Sequence, residues 1–135
     1  MFTVKRRRYR VALRPPQSHD WPEFEAAAVA STKHLRPFVY PPATEEAYVK
    51  WASRAETERH RFFFVCRLDD GAIAGAVNFS EIVRGALHGC FVGFYLFETF
   101  SRQGYMTEGL ALGLSHAFGN LKLHRVEANI QPDNE

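Results

Sequence analysis

FVGFYLFETFSRQGYMTE, residues 91–108, contains the change of pattern that decides the fold. Its first seven residues form a nearly continuous apolar run, which is typical of a buried strand. From Gly104 onward the apolar residues recur at every fourth position, at Met106, Leu110, Leu114 and Phe118. This spacing predicts a helix, because residues four apart lie on one face of an α-helix. The stretch therefore predicts a buried strand, a short loop and a helix that begins at Gly104.

The same reasoning predicts three strands and two helices upstream of this stretch, and one more strand downstream of it. The first predicted elements are a strand that ends at Arg14, a helix from the capping box Asp20-Trp-Pro-Glu23 to about His34, and a helix from Glu45 to about Arg59 that is capped by Thr44. Two strands follow over 62–66 and 72–79, joined by the turn Asp69-Asp70-Gly71, and then a connection over 81–85. The last predicted elements are a strand over 87–97, a helix from 104 to Asn120 and a strand over 126–130. The order β-α-α-β-β-β-α-β predicts a mixed α+β fold, with a mostly antiparallel central sheet, helices on its faces and a parallel strand–helix–strand unit at the end. Residues 1–135 are expected to form one domain.

Composition narrows the class of protein. Of the 135 residues, 46% are hydrophobic and 24% charged, which is typical of a globular domain and excludes a disordered or repetitive chain. The two cysteines, Cys66 and Cys90, lie in apolar runs and predict buried, reduced thiols in a cytoplasmic protein. The six histidines have no metal-ligand spacing, so no metal site is expected. No apolar run has the length of a membrane-spanning helix, so no membrane is expected among the partners.

The charge is unevenly distributed along the chain. Six basic residues and no acidic one fall within residues 1–14, whereas the whole chain has a net charge of only +2. The basic residues are Lys5, Arg6, Arg7, Arg8, Arg10 and Arg14. A basic segment over residues 5–14 could bind RNA or another acidic surface. The alternative is a solvated tail followed by the outward face of a first strand, and we favour it because no RNA-binding or helix-turn-helix pattern follows.

The predicted helix start at Gly104 is suited to binding an anion. The first amides of a helix lack intrahelical partners and lie at the positive end of the helix dipole, so helix starts bind phosphates. A glycine there lets a phosphate approach the backbone, and Arg102 could add a charge-assisted contact. The alternative is a glycine that serves only the turn. Neither the Walker pattern nor the dinucleotide pattern Gly-x-Gly-x-x-Gly is present, which argues against ATP, GTP and NAD.

The segment Ser101-Arg-Gln-Gly-Tyr-Met-Thr-Glu-Gly-Leu110 resembles the pyrophosphate loop of the GCN5-related N-acetyltransferase (GNAT) family, usually written Arg/Gln-x-x-Gly-x-Gly/Ala. The resemblance is to the RimJ and RimL branch, which acetylates alanine at ribosomal-protein N-termini. It extends in the family's order over Asn78-Phe-Ser, Val83-Arg-Gly85, His88-Gly-Cys90, Val92-Gly-Phe94 and His124-Arg125 before Ala128-Asn129. The chain departs from the family pattern at Ser101, where Gln or Arg is usual, and at Met106, where a small residue is usual.

This resemblance implies direct transfer of an acetyl group from acetyl-CoA to an amine. It implies cofactor contacts by Tyr95, Leu96 and Phe97 along the pantetheine arm, by Arg102, Gln103, Gly104, Tyr105, Met106 and Thr107 at the diphosphate, and by Asn134 on the pantetheine arm. His88 and Glu81 are the candidate groups that take the proton from the amine. Family members continue past the last strand into another helix and further strands, so we expect the C-terminal part of the fold to be missing from this chain.

The acceptor that the resemblance implies is the N-terminal α-amino group of a protein, in this branch a ribosomal protein. Two alternatives stay open. The acceptor could be a small-molecule amine, because a fold does not fix a substrate. The domain could also be a non-catalytic module whose basic N-terminal segment binds RNA or the ribosome. Dimerisation is open as well, since a second copy could complete the groove.

Overall fold

A computed structural model describes residues 9–36, 38–85 and 88–128. Its helices and strands are, in chain order, β1 (Val11–Arg14), α1 (Trp21–Ala30), α2 (Thr32–Leu35), α3 (Glu45–Ala52), β2 (Arg61–Arg67), β3 (Ile73–Val83), β4 (Gly89–Leu96), α4 (Tyr105–Ser115) and β5 (Arg125–Ala128). Short 3-10 turns lie at Ser18–Asp20 and Glu98–Phe100, and a π-helical turn at His116–Asn120 extends α4. No helix in these ranges is long and apolar enough to cross a membrane.

The five strands form one sheet in the order β1-β2-β3-β4-β5. The first four strands are antiparallel to their neighbours, and β5 runs parallel to β4. A parallel pair needs a crossover, and α4 supplies it, as is usual for a strand–helix–strand unit. The predicted mixed, mostly antiparallel sheet is therefore confirmed, together with the parallel unit at its end.

Helices cover both faces of the sheet. On one face α4 packs against Val65, Val77 and Phe79, and its two buried glycines allow this close approach. On the other face the core is aromatic: the rings of Phe24 in α1 and Tyr48 in α3 lie 5.2 Å apart. Such ring pairs contribute stability beyond the area that they bury. The two faces together fix the ends of β4, where the candidate site lies.

Two predicted helices differ from the observed ones. The helix predicted from Glu45 to Arg59 ends at Ala52, because the Ser53 hydroxyl donates to the carbonyl of Lys50 and the chain turns there. Its predicted cap at Thr44 is confirmed, since the hydroxyl accepts from an amide of the first turn, 3.1 Å away. The helix predicted to run from Asp20 to His34 is broken at Ser31 into α1 and α2.

The predicted capping box of α1 is wrong. The carboxylate of Asp20 instead accepts two hydrogen bonds from Arg14, at 2.7 and 2.8 Å, and one from the amide of Gln17. Burial raises the pKa of Asp20, but the Arg14 guanidinium and the Gln17 amide lower it by more, so the pKa lies below its usual value. Glu23, the other member of the predicted box, accepts from the amide of Ile73 and ties α1 to β3.

The predicted connection over 81–85 is also wrong in part. β3 continues to Val83 and pairs with Gly89 of β4. The pairing register shifts between Ser80 and Val83, and Glu81 has a positive φ of 52°. Sequence patterns seldom reveal such a bulge, because it adds one residue without breaking the strand.

Candidate active site

The loop from β4 to α4 is held by hydrogen bonds to two other parts of the fold and by one within the loop. The amide of Phe97 donates to the carbonyl of Ala74 in β3, 2.9 Å away. The next amide, that of Glu98, donates to the hydroxyl of Ser31, a buried side chain at the break between α1 and α2. Within the loop, the Gln103 side chain donates to the carbonyl of Thr99. The loop therefore presents the start of α4 in a fixed position.

Gly104 is the residue before the first turn of α4, as the sequence predicts. Its φ is +84°, a left-handed conformation that glycine adopts without the penalty of a Cβ. Gly104 has no side chain to cap the helix, and the amides of residues 105–107 donate to no side chain in the described part of the chain. Uncapped amides at a helix start fit an anionic group such as a phosphate.

Arg10 lies against this helix start, a position that the sequence did not predict. Its guanidinium donates to the carbonyl of Gln103 (2.9 Å) and to the carboxylate of Glu108 (2.6 Å), and it lies 4.7 Å from the ring centroid of Tyr105. The Arg10 amide also donates to Glu108. Arg10 therefore neutralises the one acidic side chain in the first turn of α4, which would otherwise repel a phosphate.

The arginines near β1 thus serve the fold. Arg10 binds Glu108 and Arg14 binds Asp20, so two of the six residues of the predicted basic segment are paired with acids of this chain. The other four lie at positions 5–8, outside the described residues. Arg102, predicted to contact the diphosphate, is exposed and has a positive φ of 61°.

A cleft of about 260 Å³ runs from the helix start along β4, and we call it the β4 cleft. It is lined by His34, Leu35, Phe38, Val39, Phe94, Tyr95, Leu96, Ser101 and Met106. Three predicted cofactor contacts, Tyr95, Leu96 and Met106, are brought together here. Phe97 is not among the lining residues, because its side chain is buried in the aromatic core and its amide is bound to β3.

The β4 cleft lies along residues 94–96 at the end of β4. In the described residues the β4–β5 pairing covers Gly89 to Val92, with Val92 opposite Ala128. Residues 93–96 of β4 follow toward the loop and pair with β3 on one side. A strand edge can pair with an extended, amide-containing ligand.

A second and larger groove of about 580 Å³ opens from the β4 cleft on the α3 side of the sheet, and we call it the α3 groove. It is lined by Phe38, Val39, Tyr40, Pro41, Pro42, Ala47, Lys50, Trp51, Arg54, Asn78, Gly93, Phe94 and Tyr95. Its floor is the cross-strand pair Asn78 and Gly93, which meet between β3 and β4. The two cavities share Phe94 and Tyr95, so they are continuous along β4.

Sequence reasoning missed the floor of the α3 groove. A Cβ placed on Gly93 would meet no atom within 4 Å, so the groove is open above this residue. The side-chain oxygen of Asn78 is buried and has no hydrogen-bond partner in the described structure. Buried polar atoms are nearly always bonded, so this oxygen is available to an N–H donor. The segment Asn78-Phe-Ser is part of the family resemblance, but only the strand register shows what Asn78 faces.

The two predicted proton acceptors lie away from the Gly104 loop. His88 precedes β4 at the opposite end from Leu96, roughly 25 Å along the strand. Its ring stacks on that of His124, with centroids 4.8 Å apart, and its buried Nδ1 has no partner among the described residues. Glu81 is nearer to the α3 groove, three residues beyond Asn78 or roughly 10 Å. Asn134, the remaining predicted contact, lies outside the described residues.

Burial determines the protonation state of three further side chains. Burial raises the pKa of the Cys66 thiol, although the Arg14 guanidinium lowers it by a smaller amount, and burial likewise raises the pKa of Cys90. Both free thiols therefore stay protonated at neutral pH and are poor nucleophiles. Burial also raises the pKa of Tyr95, so its phenol keeps its proton. The described residues hold no group of three or more His, Cys, Asp and Glu side chains placed to bind a metal ion.

Comparison with known proteins places this site in a family. The family model for the acetyltransferase (GNAT) domain matches residues 10–135. The match covers nearly the whole chain, so the chain belongs to the GNAT acetyltransferase family.

Two curated bacterial proteins are similar in sequence. Probable N-acetyltransferase YjcK of Bacillus subtilis is 35% identical over 85 residues, which are 63% of this chain and 47% of YjcK. The [ribosomal protein uS5]-alanine N-acetyltransferase of Escherichia coli is 33% identical over 67 residues, which are 50% of this chain and 34% of that enzyme. The matched part of this chain spans less than half the length of either relative.

Solved structures share the fold. The RimJ of Mycobacterium smegmatis, determined in complex with a CoA disulfide, superposes with a TM-score of 0.82 at 27% identity, covering 92% of this chain and 64% of RimJ. The ribosomal-protein-S5-alanine acetyltransferase of Vibrio fischeri superposes with a TM-score of 0.79 at 22% identity, covering 98% of this chain and 77% of that protein.

Proposed function

We propose that this chain transfers an acetyl group from acetyl-CoA to the N-terminal α-amino group of a protein, with ribosomal proteins as the candidate acceptors. The observation that carries the proposal is the continuity of the site. The uncapped helix start after Gly104 leads through the β4 cleft to the floor of the α3 groove at Gly93. One end fits a phosphate and the other is open to an acceptor. Family membership supports the same reaction.

The residues at the helix start would hold the diphosphate of the cofactor. The amides of residues 105–107 offer donors at the positive end of the α4 dipole. Arg102 adds an exposed cation beside them. Arg10 acts from behind by fixing the Gln103 carbonyl and neutralising Glu108. Acetyl-CoA, when bound, supplies the acetyl thioester.

The exposed part of β4 would hold the pantetheine arm. Residues 93–96 pair with β3 on one side and would offer the backbone groups of their other edge to the amides of the arm. A backbone N–H of this segment is also the candidate donor to the acetyl carbonyl as negative charge develops on its oxygen. This assigns the reacting end of the arm to the neighbourhood of Gly93 and Asn78.

The acceptor amine must lose a proton before it attacks. An α-amine has a pKa of about 7.7–8.0, so at neutral pH only a modest base or a water chain is needed. Glu81 lies on β3 three residues beyond Asn78, and it is exposed. We therefore favour Glu81 over His88 as the proton acceptor, acting through water.

Two further assignments go with this function. The cytoplasm is the proposed compartment, supported by the free, buried state of both cysteines. Asn134 stays a proposed contact to the pantetheine arm.

The test is an assay of thiol release from acetyl-CoA by the 135-residue chain. Short peptides that begin with Ala or Ser serve as acceptors, the same peptides with a blocked N-terminus are the control, and a polyamine is the small-molecule comparison. Thiol release that requires a free peptide N-terminus is the expected result. Release with the polyamine alone would show a small-molecule acceptor, and release with neither would contradict the proposal.

A further inference from the structure

The charged residues among those described at the α3 groove are basic. Two of its lining residues, Lys50 and Arg54, are cationic, and none of the described residues that line it is acidic. Both side chains are exposed, and neither forms an ion pair with an acid in the described ranges. Arg10 and Arg14, by contrast, are each bound to a carboxylate of the fold. The groove therefore presents two cations to whatever enters it.

The positions of these cations are set by the α3 segment. Ala47, Lys50 and Trp51 have the three- and four-residue spacing of one face of α3, Arg54 follows in the turn after the helix, and all four line the groove. Trp51 is stacked on Phe62 of β2, with ring centroids 5.3 Å apart and an interplanar angle of 6°. This stack fixes the wall from which the two cations extend.

The floor of the α3 groove favours a hydrogen-bond donor, whereas its wall favours an anion. The Asn78 oxygen accepts hydrogen bonds and lacks a partner in the described structure, and the space above Gly93 is open. An amine placed in the open space at Gly93 would lie beside the unpaired acceptor of Asn78, while negatively charged groups near it would face the wall. The volume of about 580 Å³ lies within the range of roughly 300–1,000 Å³ that is usual for small-ligand sites, enough for the first residues of a peptide.

We propose that the α3 groove selects acceptor peptides with acidic residues directly after the N-terminal one: Asn78 receives the amine, and Lys50 and Arg54 bind the carboxylates. This inference rests on the proposed function and adds the acceptor's charge to it. Lys50 in the last turn of α3 also interacts favourably with the helix dipole. That effect gives no preference among peptides, so the two roles can be separated by experiment.

The test is calorimetric titration, without cofactor, of two peptides, Ala-Asp-Glu-Phe amide and Ala-Asn-Gln-Phe amide. These have the same length and shape and differ only in two charges. Two exposed ion pairs contribute modestly each, so we expect the acidic peptide to bind roughly tenfold more tightly at low salt, with the difference shrinking at high salt. A tenfold difference corresponds to about 1.4 kcal/mol.

Four variants test which residues cause the preference. Lys50→Glu and Arg54→Glu are each expected to remove most of the preference. Lys33→Glu makes the same charge change on α2, away from the groove, and should keep it. Asn78→Leu should weaken both peptides equally, because the amine is common to them.

Equal affinity of the two peptides, no binding of the acidic one, or a preference that survives both Lys50→Glu and Arg54→Glu would overturn the inference. Thiol release from acetyl-CoA with the neutral peptide is measured in parallel. Thiol release without a charge preference would mean that only the acidic selectivity is wrong, whereas a charge preference without thiol release would mean that the proposed reaction is wrong.

Discussion

A methyl group added at Gly75 should separate the two strands that form the site. Gly75 in β3 is paired with Leu96 in β4. A Cβ there would overlap the carbonyl oxygen of Tyr95 and lie 2.9 Å from the Cα of Leu96, and both are backbone atoms that no rotamer change can move. Overpacking costs about 1–3 kcal/mol, and each ladder hydrogen bond lost as the strands separate costs about 1 kcal/mol more. We expect Gly75→Ala to lower the free energy of unfolding by about 3–4 kcal/mol.

Gly93→Ala is the matched control, because it makes the same chemical change one strand away. A Cβ on Gly93 meets nothing within 4 Å, so this variant should be as stable as the parent or slightly more stable. Urea unfolding followed by circular dichroism measures both variants. With a slope of about 2 kcal/mol per molar urea, Gly75→Ala should shift the midpoint down by roughly 1.5–2 M. A shift within about 0.5 M of the parent would refute the strand spacing on which the β4 cleft depends.

Two further predictions concern single ion pairs. Asp20→Asn should lower the free energy of unfolding by about 2 kcal/mol at neutral pH, less than for a fully buried pair because the Arg14 side chain is 36% exposed. The pKa of Asp20 is lower in the folded chain than in the unfolded chain, where it is near 3.8. Its contribution to the free energy of unfolding is therefore complete above that pH and is lost as the pH falls further. In urea unfolding, the variant should lose less stability in acid than the parent. Arg10→Gln removes the guanidinium from Glu108 and from the Gln103 carbonyl. Calorimetry should show a several-fold weaker affinity for CoA, and urea unfolding should show the free energy of unfolding lowered by about 1 kcal/mol at most. Unchanged CoA affinity in this variant would contradict the role given to Arg10.

The strand–loop–helix at the site could be predicted because its signals are local. An apolar run, a change of period and a glycine at the join all lie within 91–108, and the observed β4, loop and α4 follow them. The parallel β5 follows from the same unit, because a helix between two strands of a sheet makes them parallel.

The residues that contact the strand–loop–helix from elsewhere could not be predicted, because they come from distant parts of the chain. Arg10 and Glu108 are 98 residues apart, and nothing in either segment indicates the other. Asn78 meets Gly93 only through the register of two antiparallel strands, and a shift of one residue would turn Asn78 to the other face. Ser31 appeared only as one residue of a helix, whereas its hydroxyl binds the loop after β4.

The candidate proton acceptors show the same limit. His88 and Glu81 were selected because they lie close to the central strand in sequence. The order of the predicted elements already puts His88 at the start of the strand and the Gly104 loop at its end, whereas the relation of Glu81 to the α3 groove comes only from the register of β3 and β4. Their assignment in the reaction stays a prediction.

The central claim is that the start of α4 binds acyl-CoA, and calorimetric titration with acetyl-CoA tests it most directly. Gly104→Asp is the variant, because it strains the backbone at a φ of +84° and places a Cβ 3.0 Å from the Arg10 guanidinium, and its carboxylate adds a negative charge to the helix start. Circular dichroism checks that the variant is folded, and ATP and NAD serve as control ligands. We expect the parent chain to bind acetyl-CoA in preference to both controls and the folded variant to bind it at least tenfold more weakly, a loss of about 1.4 kcal/mol or more. Equal affinity of parent and variant, or equal binding of all three ligands, would contradict the claim.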